Sequence, residues 1–178
     1  MYSLQDVLQF EEQQFEQAFH AYLDLYGQHP TDYQIWRHFY FFLWAALDQA
    51  PVELLERLGV TARLRALFTE GESRFTTLAE FQFLAGYTVA ILPYEFGPFD
   101  EWEQKGKELL HQATVLDPTN LIYHLAYLGS LPSSTLPEYS PAYRQAVVDA
   151  APLVATTFQG NGLLNQYFRQ VLCRVDEL

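Results

Sequence analysis

Apolar residues recur every three or four positions along most of this chain, which is the spacing of amphipathic α-helices. The first such stretch follows Ser3, a residue type that caps helices, and runs to about Tyr26, where Gly27 is expected to end it. Its polar face is acidic, since no Lys or Arg occurs before Arg37. The pattern therefore predicts one long acidic helix at the start of the sequence.

The second predicted helix is the most apolar segment of the chain. Thr31 and Gln34 form a capping-box pattern at its start, and Pro51 limits it to about Ala50. Between these points the run HFYFFLWAAL is apolar on every side. Because a helix without a polar face is a buried helix, we expect this one to lie at the centre of the core.

Proline, glycine and capping residues divide the rest of the chain into further helices. The predicted segments are 51–58, closed by Gly59; 61–70, closed by Gly71; a helix from a Thr77 and Glu80 capping box to Leu92; 100–116; 120–129; a helix opened by Ser140 and Pro141, bent at Pro152 and ended at 159–162; and a last helix after it. A Pro/Ser-rich connection covers 131–141, and no linker separates two domains. The sequence thus predicts an all-α fold of about eight or nine helices in a single domain, residues 1–178.

Two segments of the chain repeat each other. The sequence HPTDYQIW at 29–36 parallels DPTNLIYH at 117–124, and each stands between two helical stretches. Proline ends the first helix, Asp32 or Asn120 caps the next, and the short turn makes the two helices antiparallel neighbours.

Around these turns the chain resembles tetratricopeptide repeats. The matching positions are Ala18, Tyr22, Pro30 and Trp36 in the first segment, Gly106, Leu110, Ala113, Pro118 and Asn120 in the second, and FLAGY at 83–87, which is similar to the close approach of a repeat's first helix. The loop at 93–100 makes the spacing from Gly86 to Gly106 longer than in a standard repeat. The resemblance implies antiparallel helical hairpins, arranged as a tetratricopeptide-like right-handed superhelix or as a compact helical array. It also implies protein or peptide binding, although a fold does not fix a function.

The charge of the chain narrows the class of partner. With 22 acidic and 10 basic residues, the formal net charge is −12. Nucleic acids and anionic membranes require cationic faces, so neither is expected as a direct partner, whereas a basic protein suits this charge. The single cysteine, Cys173, permits no intramolecular disulfide, and the first residues lack the basic and apolar regions of a signal peptide. We therefore expect a cytoplasmic protein.

No motif in the sequence predicts catalysis. There is no P-loop, no dinucleotide-binding glycine pattern, no nucleophile elbow and no zincin helix. The five histidines never stand three or four residues apart, the spacing that aims two imidazoles at one metal. We expect His38 to be a buried, hydrogen-bonded histidine and Cys173 a small core residue. No catalytic residue, metal or cofactor is predicted.

The segment PYEFGPFDEWE at 93–103 is the predicted binding site. Aromatic rings alternate there with acids, which suits contact with a basic protein. Alternatively, the rings fold back as a plug and the acids serve the N-terminus of the following helix. The acidic first helix competes with this segment as the docking face. The predicted partner-binding residues are Tyr94, Glu95, Phe96, Phe99, Asp100, Glu101, Trp102 and Glu103.

Four arginines cluster in the middle of the chain, at positions 57, 63, 65 and 74. They could form a small phosphate-contacting patch or balance the surrounding acids. The second interpretation is the expectation, because Glu53, Glu56, Glu70 and Glu72 are interspersed among them.

Three function classes remain open. Small size, acidity and the absence of catalytic motifs favour an inhibitory binder, an immunity protein that occludes a cognate basic toxin domain such as a nuclease. The repeat resemblance favours a tetratricopeptide-like adaptor or chaperone that holds a peptide or protein in a concave groove. The third class is an enzyme whose pocket is assembled from scattered residues and is not visible in the sequence.

Overall fold

The computed structural model describes residues 2–131 and 141–173, and these ranges contain α-helices, one 3₁₀ turn and no β-strand. The all-α prediction is therefore confirmed. The described ranges hold ten α-helices, one more than the upper predicted number. They are α1 Leu4–Phe10, α2 Phe15–Gln28, α3 Tyr33–Gln49, α4 Val52–Leu58, α5 Val60–Phe75, α6 Ala79–Ile91, α7 Phe99–Leu116, α8 Leu121–Gly129, α9 Pro141–Thr157 and α10 Leu163–Leu172; the 3₁₀ turn is Pro93–Glu95.

The additional helix arises because the first predicted helix is in fact two. Ser3 caps α1 as expected, in a reciprocal capping box with Asp6. The chain then leaves the helix at Glu11, whose carboxylate turns inward and accepts hydrogen bonds from the Tyr22 hydroxyl at 2.5 Å and the Leu163 N–H at 2.7 Å. The prediction of one continuous helix is wrong because the helical spacing of apolar residues continues through this break.

Two glycines that were predicted to end helices lie inside them. Gly27 is within α2, and Gly71 is a buried residue within α5. Helix α5 continues to Phe75 because the Phe75 ring packs against Trp36, with ring centroids 5.6 Å apart. Gly59, by contrast, ends α4 as predicted, with a φ of 64° in the left-handed region that glycine adopts without strain.

The two turns that repeat each other in sequence also share one backbone geometry. Asp32 has φ and ψ of −80° and 110°, and Asn120 has −82° and 106°. Each side chain caps the next helix, Asp32 accepting from the Gln34 N–H at 2.8 Å and Asn120 from the Ile122 N–H at 3.1 Å. The predicted Asp and Asn caps are confirmed, and the capping box of Thr31 with Gln34 is wrong. The tetratricopeptide resemblance itself stays a prediction.

The chain forms two compact units, of which the first comprises Met1–Phe75 and Gly160–Gln166. Its core is built on α3, as predicted, with Trp36 and Phe39 fully buried. Tyr22 of α2 stacks on Phe39 at 5.1 Å, and Trp36 stacks on Tyr40 at 4.8 Å. The Trp36 indole N–H donates to the Leu67 carbonyl oxygen at 2.9 Å, which ties α3 to α5.

The second unit comprises Thr76–Gln159 and Tyr167–Leu178, and α6 and α7 form its central antiparallel hairpin. Two glycines allow these helices to touch through their backbones. A Cβ on Gly86 would lie 2.8 Å from the Leu110 backbone nitrogen, and one on Gly106 would lie 2.7 Å from the Ala90 backbone nitrogen. The close approach expected at 83–87 is therefore confirmed, and its partner is the glycine twenty positions further along the chain.

The start of α6 differs from its prediction. The expected capping box of Thr77 and Glu80 does not cap the helix, because Leu78 occupies the N-cap position and makes no side-chain hydrogen bond there. Instead, the buried Gln82 side chain reaches back from within α6 and donates to the Thr76 carbonyl oxygen at 2.7 Å. The Thr76 carbonyl oxygen, which lies before α6, thus receives a hydrogen bond from a side chain inside the helix.

The remaining helices of the second unit are α8, α9 and the larger part of α10. The Phe168 ring contacts Phe158 at 4.9 Å and Phe83 at 5.1 Å. Helix α9 begins at Pro141 and contains Pro152, as predicted, whereas the predicted cap Ser140 and the connection 132–140 lie outside the described residues. The assignment of residues 1–178 to a single domain stays a prediction.

Candidate protein-binding surface

The predicted binding segment follows α6 and does not present all its rings to solvent. Phe96 is 6% exposed and stacks on Trp102, with ring centroids 5.4 Å apart. Gly97 leaves the space that this indole occupies, since any Cβ at position 97 would collide with the Trp102 ring. Phe96 therefore belongs to the interior of the second unit, and its prediction as a partner-contacting ring is corrected. Trp102 is partly buried by the same contact.

The other two rings of the segment are exposed, and a third apolar residue joins them. Tyr94 is 58% exposed and Phe99 is 54% exposed, at the end of the α6–α7 hairpin where α6 gives way to α7. Ile91, the last residue of α6, is 51% exposed at the same end. It was not among the predicted site residues, because α6 is apolar on all sides and its sequence does not mark an outer face.

The acids of the segment also divide into side chains that are paired or partly buried and side chains that are exposed. Glu103 forms an ion pair with Lys107 at 3.1 Å, and Glu95 is partly buried. Asp100 and Glu101 are exposed in the first turn of α7, and neither has an ion pair with any described residue. Their carboxylates also stabilise α7, because they lie near the positive N-terminal end of its helix dipole. We define the hairpin-end surface as Ile91, Tyr94, Phe99, Asp100 and Glu101.

The competing acidic face on the first two helices is largely occupied by internal contacts. Asp6 is used in the capping box, and Asp32 caps α3. Glu11 is buried, and Glu16 accepts two hydrogen bonds from Arg57, at 2.7 and 2.8 Å. Of the other acids before Arg37, Glu12 accepts a hydrogen bond from the Gln166 side chain at 2.5 Å, and Asp24 is exposed. The geometry favours the hairpin-end surface over this face.

The arginine cluster is balanced by carboxylates, as expected. Arg57 pairs with Glu16 of α2 rather than with an acid of its own segment. Arg63 and Arg74 both face Glu70, at 3.4 and 3.9 Å. Arg74 also donates to the Pro30 carbonyl oxygen at 2.6 Å. These pairings favour a structural role over a phosphate-contacting patch.

Side chains with potential for chemistry are scattered. His38 is buried as predicted, and burial lowers its pKa to about 3, so the imidazole is neutral near pH 7. Its Nδ1 has no hydrogen-bond partner among the described residues, so the predicted hydrogen bonding of His38 is not seen at this atom. Across residues 2–131 and 141–173, no three His, Cys, Asp or Glu side chains are grouped so that they could hold a metal ion. In the same ranges no helix combines the length and apolarity needed to cross a bilayer.

Adding a methyl group at position 97 tests the contact between Gly97 and the Trp102 ring. In Gly97→Ala the new Cβ must displace the indole from Phe96, so we expect a changed tryptophan emission spectrum and a loss of about 1–2 kcal/mol in the free energy of unfolding. Gly129→Ala is the matched control, because its Cβ would meet only the Tyr143 ring, at 3.4 Å. An unchanged emission spectrum for Gly97→Ala would contradict the stacked arrangement.

Comparison with known proteins adds no relative to this description. The chain matches no protein-family model, no curated protein and no solved structure.

Proposed function

We propose that this chain is a protein-binding inhibitor, an immunity protein that occludes a basic toxin domain, and that the hairpin-end surface is its docking face. The observation that carries the proposal is the pairing of two exposed rings, Tyr94 and Phe99, with two carboxylates, Asp100 and Glu101, that have no ion pair among the described residues. The proposed encounter takes place in the cytoplasm.

The physical argument joins apolar burial to electrostatic steering. Covering Ile91, Tyr94 and Phe99 removes apolar surface from water, at roughly 25 cal/mol per Å². Aromatic anchors at the centre of an interface commonly carry most of its binding energy. The two carboxylates and the net charge of −12 accelerate association with a basic surface. A fast and tight complex is what neutralisation of a toxin requires.

The test is capture of a partner at low and at high salt. The immobilised chain is expected to retain one basic protein from a lysate of its native host, and that protein, expressed alone, should arrest growth that co-expression of the chain restores. In Asp100→Lys/Glu101→Lys we expect the association rate at low salt to fall at least about tenfold, because two attractive charges become repulsive. The helical circular-dichroism signal should remain nearly unchanged.

A charge-matched control separates a local effect from the loss of net charge. Asp24→Lys/Asp48→Lys changes the charge equally at two exposed acids near the C-terminal ends of α2 and α3. This control should retain most of the association rate. Equal losses in both variants would remove the hairpin-end surface from the interface, and recovery of unrelated client proteins alone would contradict the immunity function.

One observation favours the adaptor as a second candidate. A cleft of about 340 Å³ in the second unit is lined by residues of α6, α7, α8, α9 and α10, among them Ile91, Lys107 and Tyr143. A peptide-holding adaptor should bind several unrelated peptides at micromolar strength, with weak dependence on salt. The immunity protein should instead bind one partner, with an association rate that falls steeply as salt increases.

A further inference from the structure

A second concave site lies in the first unit, at the break in the stretch that was predicted as one acidic helix. It is a cavity of about 180 Å³, formed by the chain break after α1, the C-terminal half of α3, the start of α4 and the first residue of α10. Glu11, Phe42 and Ala46 are its buried lining residues, whereas Glu12, Gln49 and Pro51 are exposed at its rim. The cavity therefore has a buried floor and opens to solvent.

Glu11 is the unusual residue of this cavity. Its side chain is 4% exposed, and its two oxygens accept hydrogen bonds from the Tyr22 hydroxyl and the Leu163 N–H. No described residue supplies a cation to it. A buried carboxylate normally has a positive partner, because desolvating a charge is costly. Each carboxylate oxygen keeps a second lone pair after these bonds, so Glu11 can accept further hydrogen bonds.

The walls of the cavity suit a flat, weakly hydrated cation. Phe15 and Phe42 stack with ring centroids 4.8 Å apart, and both line the cavity. No Lys, Arg or His is among the described lining residues, whereas Glu11 and Glu12 both are, so the ionisable groups of the lining are carboxyl groups only. A volume of about 180 Å³ holds one long side chain rather than a drug-sized ligand.

We propose that this cavity is a binding site for a guanidinium group, the side chain of an arginine that a partner protein presents. A planar guanidinium stacks on aromatic rings and donates two parallel hydrogen bonds to a carboxylate. It is also more weakly hydrated than the ammonium group of lysine, so it loses less hydration free energy on entering an apolar site. The inference needs only the geometry of the first unit, and it does not depend on which protein the hairpin-end surface binds.

Protonation of Glu11 gives the site a pH dependence with a defined sign. Burial raises the pKa of Glu11 to about 7, against the opposing effect of the hydrogen bonds from Tyr22 and Leu163 and with a small further rise from the charge of Glu12. A bound cation favours the ionised carboxylate, so ligand and proton compete. Tyr22 and Glu12 are the titratable neighbours, and the lining residues from α3, α4 and α10 carry no charge: Phe42, Ala46, Gln49, Leu54 and Leu163.

The experiment is an NMR titration of the whole chain with acetyl-arginine methylamide at pH 8. We expect saturable shifts at the Leu163 amide, which bonds to Glu11, and a Glu11 pKa that falls when the ligand is bound. The affinity should be about tenfold weaker at pH 6 than at pH 8, the ratio of the ionised fractions of a group with a pKa near 7. The acetyl-citrulline analogue has nearly the same shape without the charge, and we expect it to bind at least about tenfold more weakly.

Two variants test the cavity, one by changing its carboxylate and the other by narrowing its opening. Glu11→Gln keeps an acceptor for the Leu163 N–H and should abolish both arginine binding and its pH dependence. Ala50→Leu adds bulk at the rim, where the backbone is extended, and should block the ligand while Glu11 keeps both hydrogen bonds. Equal affinity for arginine and citrulline, the absence of saturable arginine binding, or unchanged binding in Glu11→Gln would overturn the proposal.

Different experimental results would contradict the proposed function and the cavity proposal. If Glu11→Gln loses acetyl-arginine methylamide, the cavity proposal is supported even when no partner is captured through the hairpin-end surface. If partner capture succeeds and no arginine binding is detected, the cavity proposal fails and the proposed function stands.

Discussion

Gly86→Ala is expected to lower the free energy of unfolding by about 2–3 kcal/mol, although alanine is the better helix former of the two. The new methyl group would lie 2.8 Å from the Leu110 backbone nitrogen, 2.9 Å from the Leu109 Cβ and 3.0 Å from the Gly106 carbonyl oxygen. Two of these atoms belong to the backbone of α7 and cannot rotate away. The helices of the hairpin must separate, which also loosens the packing of Leu109 and Leu110.

The control for this prediction is the same substitution at a helical glycine with open surroundings. Gly27 lies in α2, and a Cβ there would meet no atom within 4 Å. Gly27→Ala should therefore raise the free energy of unfolding by about 0.5–1 kcal/mol through helix propensity alone. Opposite signs for the two substitutions in chemical denaturation would support the close approach. A stabilising effect at both positions would contradict it.

Trp36→Ala should destabilise the chain more than any of the other substitutions, with a loss of about 3–5 kcal/mol in the free energy of unfolding. The ring is fully buried, stacks on Tyr40 and packs against Phe75. Its removal leaves a cavity and takes away the hydrogen bond to the Leu67 carbonyl oxygen. The midpoint of thermal unfolding should fall by about 10 °C or more.

A conservative variant separates packing from hydrogen bonding at this position. Trp36→Phe keeps an aromatic ring and loses the indole N–H, so it should cost about 1–2 kcal/mol. Val52→Ala, at a side chain that is 63% exposed, should change stability by less than about 0.5 kcal/mol. If Trp36→Ala is as mild as Val52→Ala, the ring cannot belong to the core.

Local signals explain which helices were predicted well. Pro51 and Gly59 determine where α3 and α4 end, and Asn120 caps the start of α8. Each of these residues acts through its own backbone or through its immediate neighbours. Sequence alone is informative about them because the physical cause and its effect lie within a few positions.

The errors have causes that are distant in sequence. The break after α1 depends on Glu11, whose hydrogen-bond partner Leu163 is 152 positions away. Helix α5 passes through Gly71 because Phe75 meets Trp36. No local pattern encodes either contact.

The candidate site shows the same limit. The exposure of Tyr94, Phe99, Asp100 and Glu101 agrees with the expectation of an aromatic and acidic surface. The burial of Phe96 was not predictable, because it depends on the Trp102 ring filling the space above a glycine. The cavity around Glu11 was also missed, since a buried glutamate is indistinguishable in sequence from the exposed acid that follows it.

The order in which the first unit acquires its residues has a consequence for synthesis. Residues 160–166 leave the ribosome only after the 84 residues of the second unit that separate them from Phe75. Until Leu163 emerges, the Glu11 carboxylate lacks its backbone donor, so the first unit cannot complete its contacts while those 84 residues are being synthesised. A chain truncated before residue 160 would therefore carry an incomplete first unit, in which the Glu11 carboxylate has no Leu163 donor.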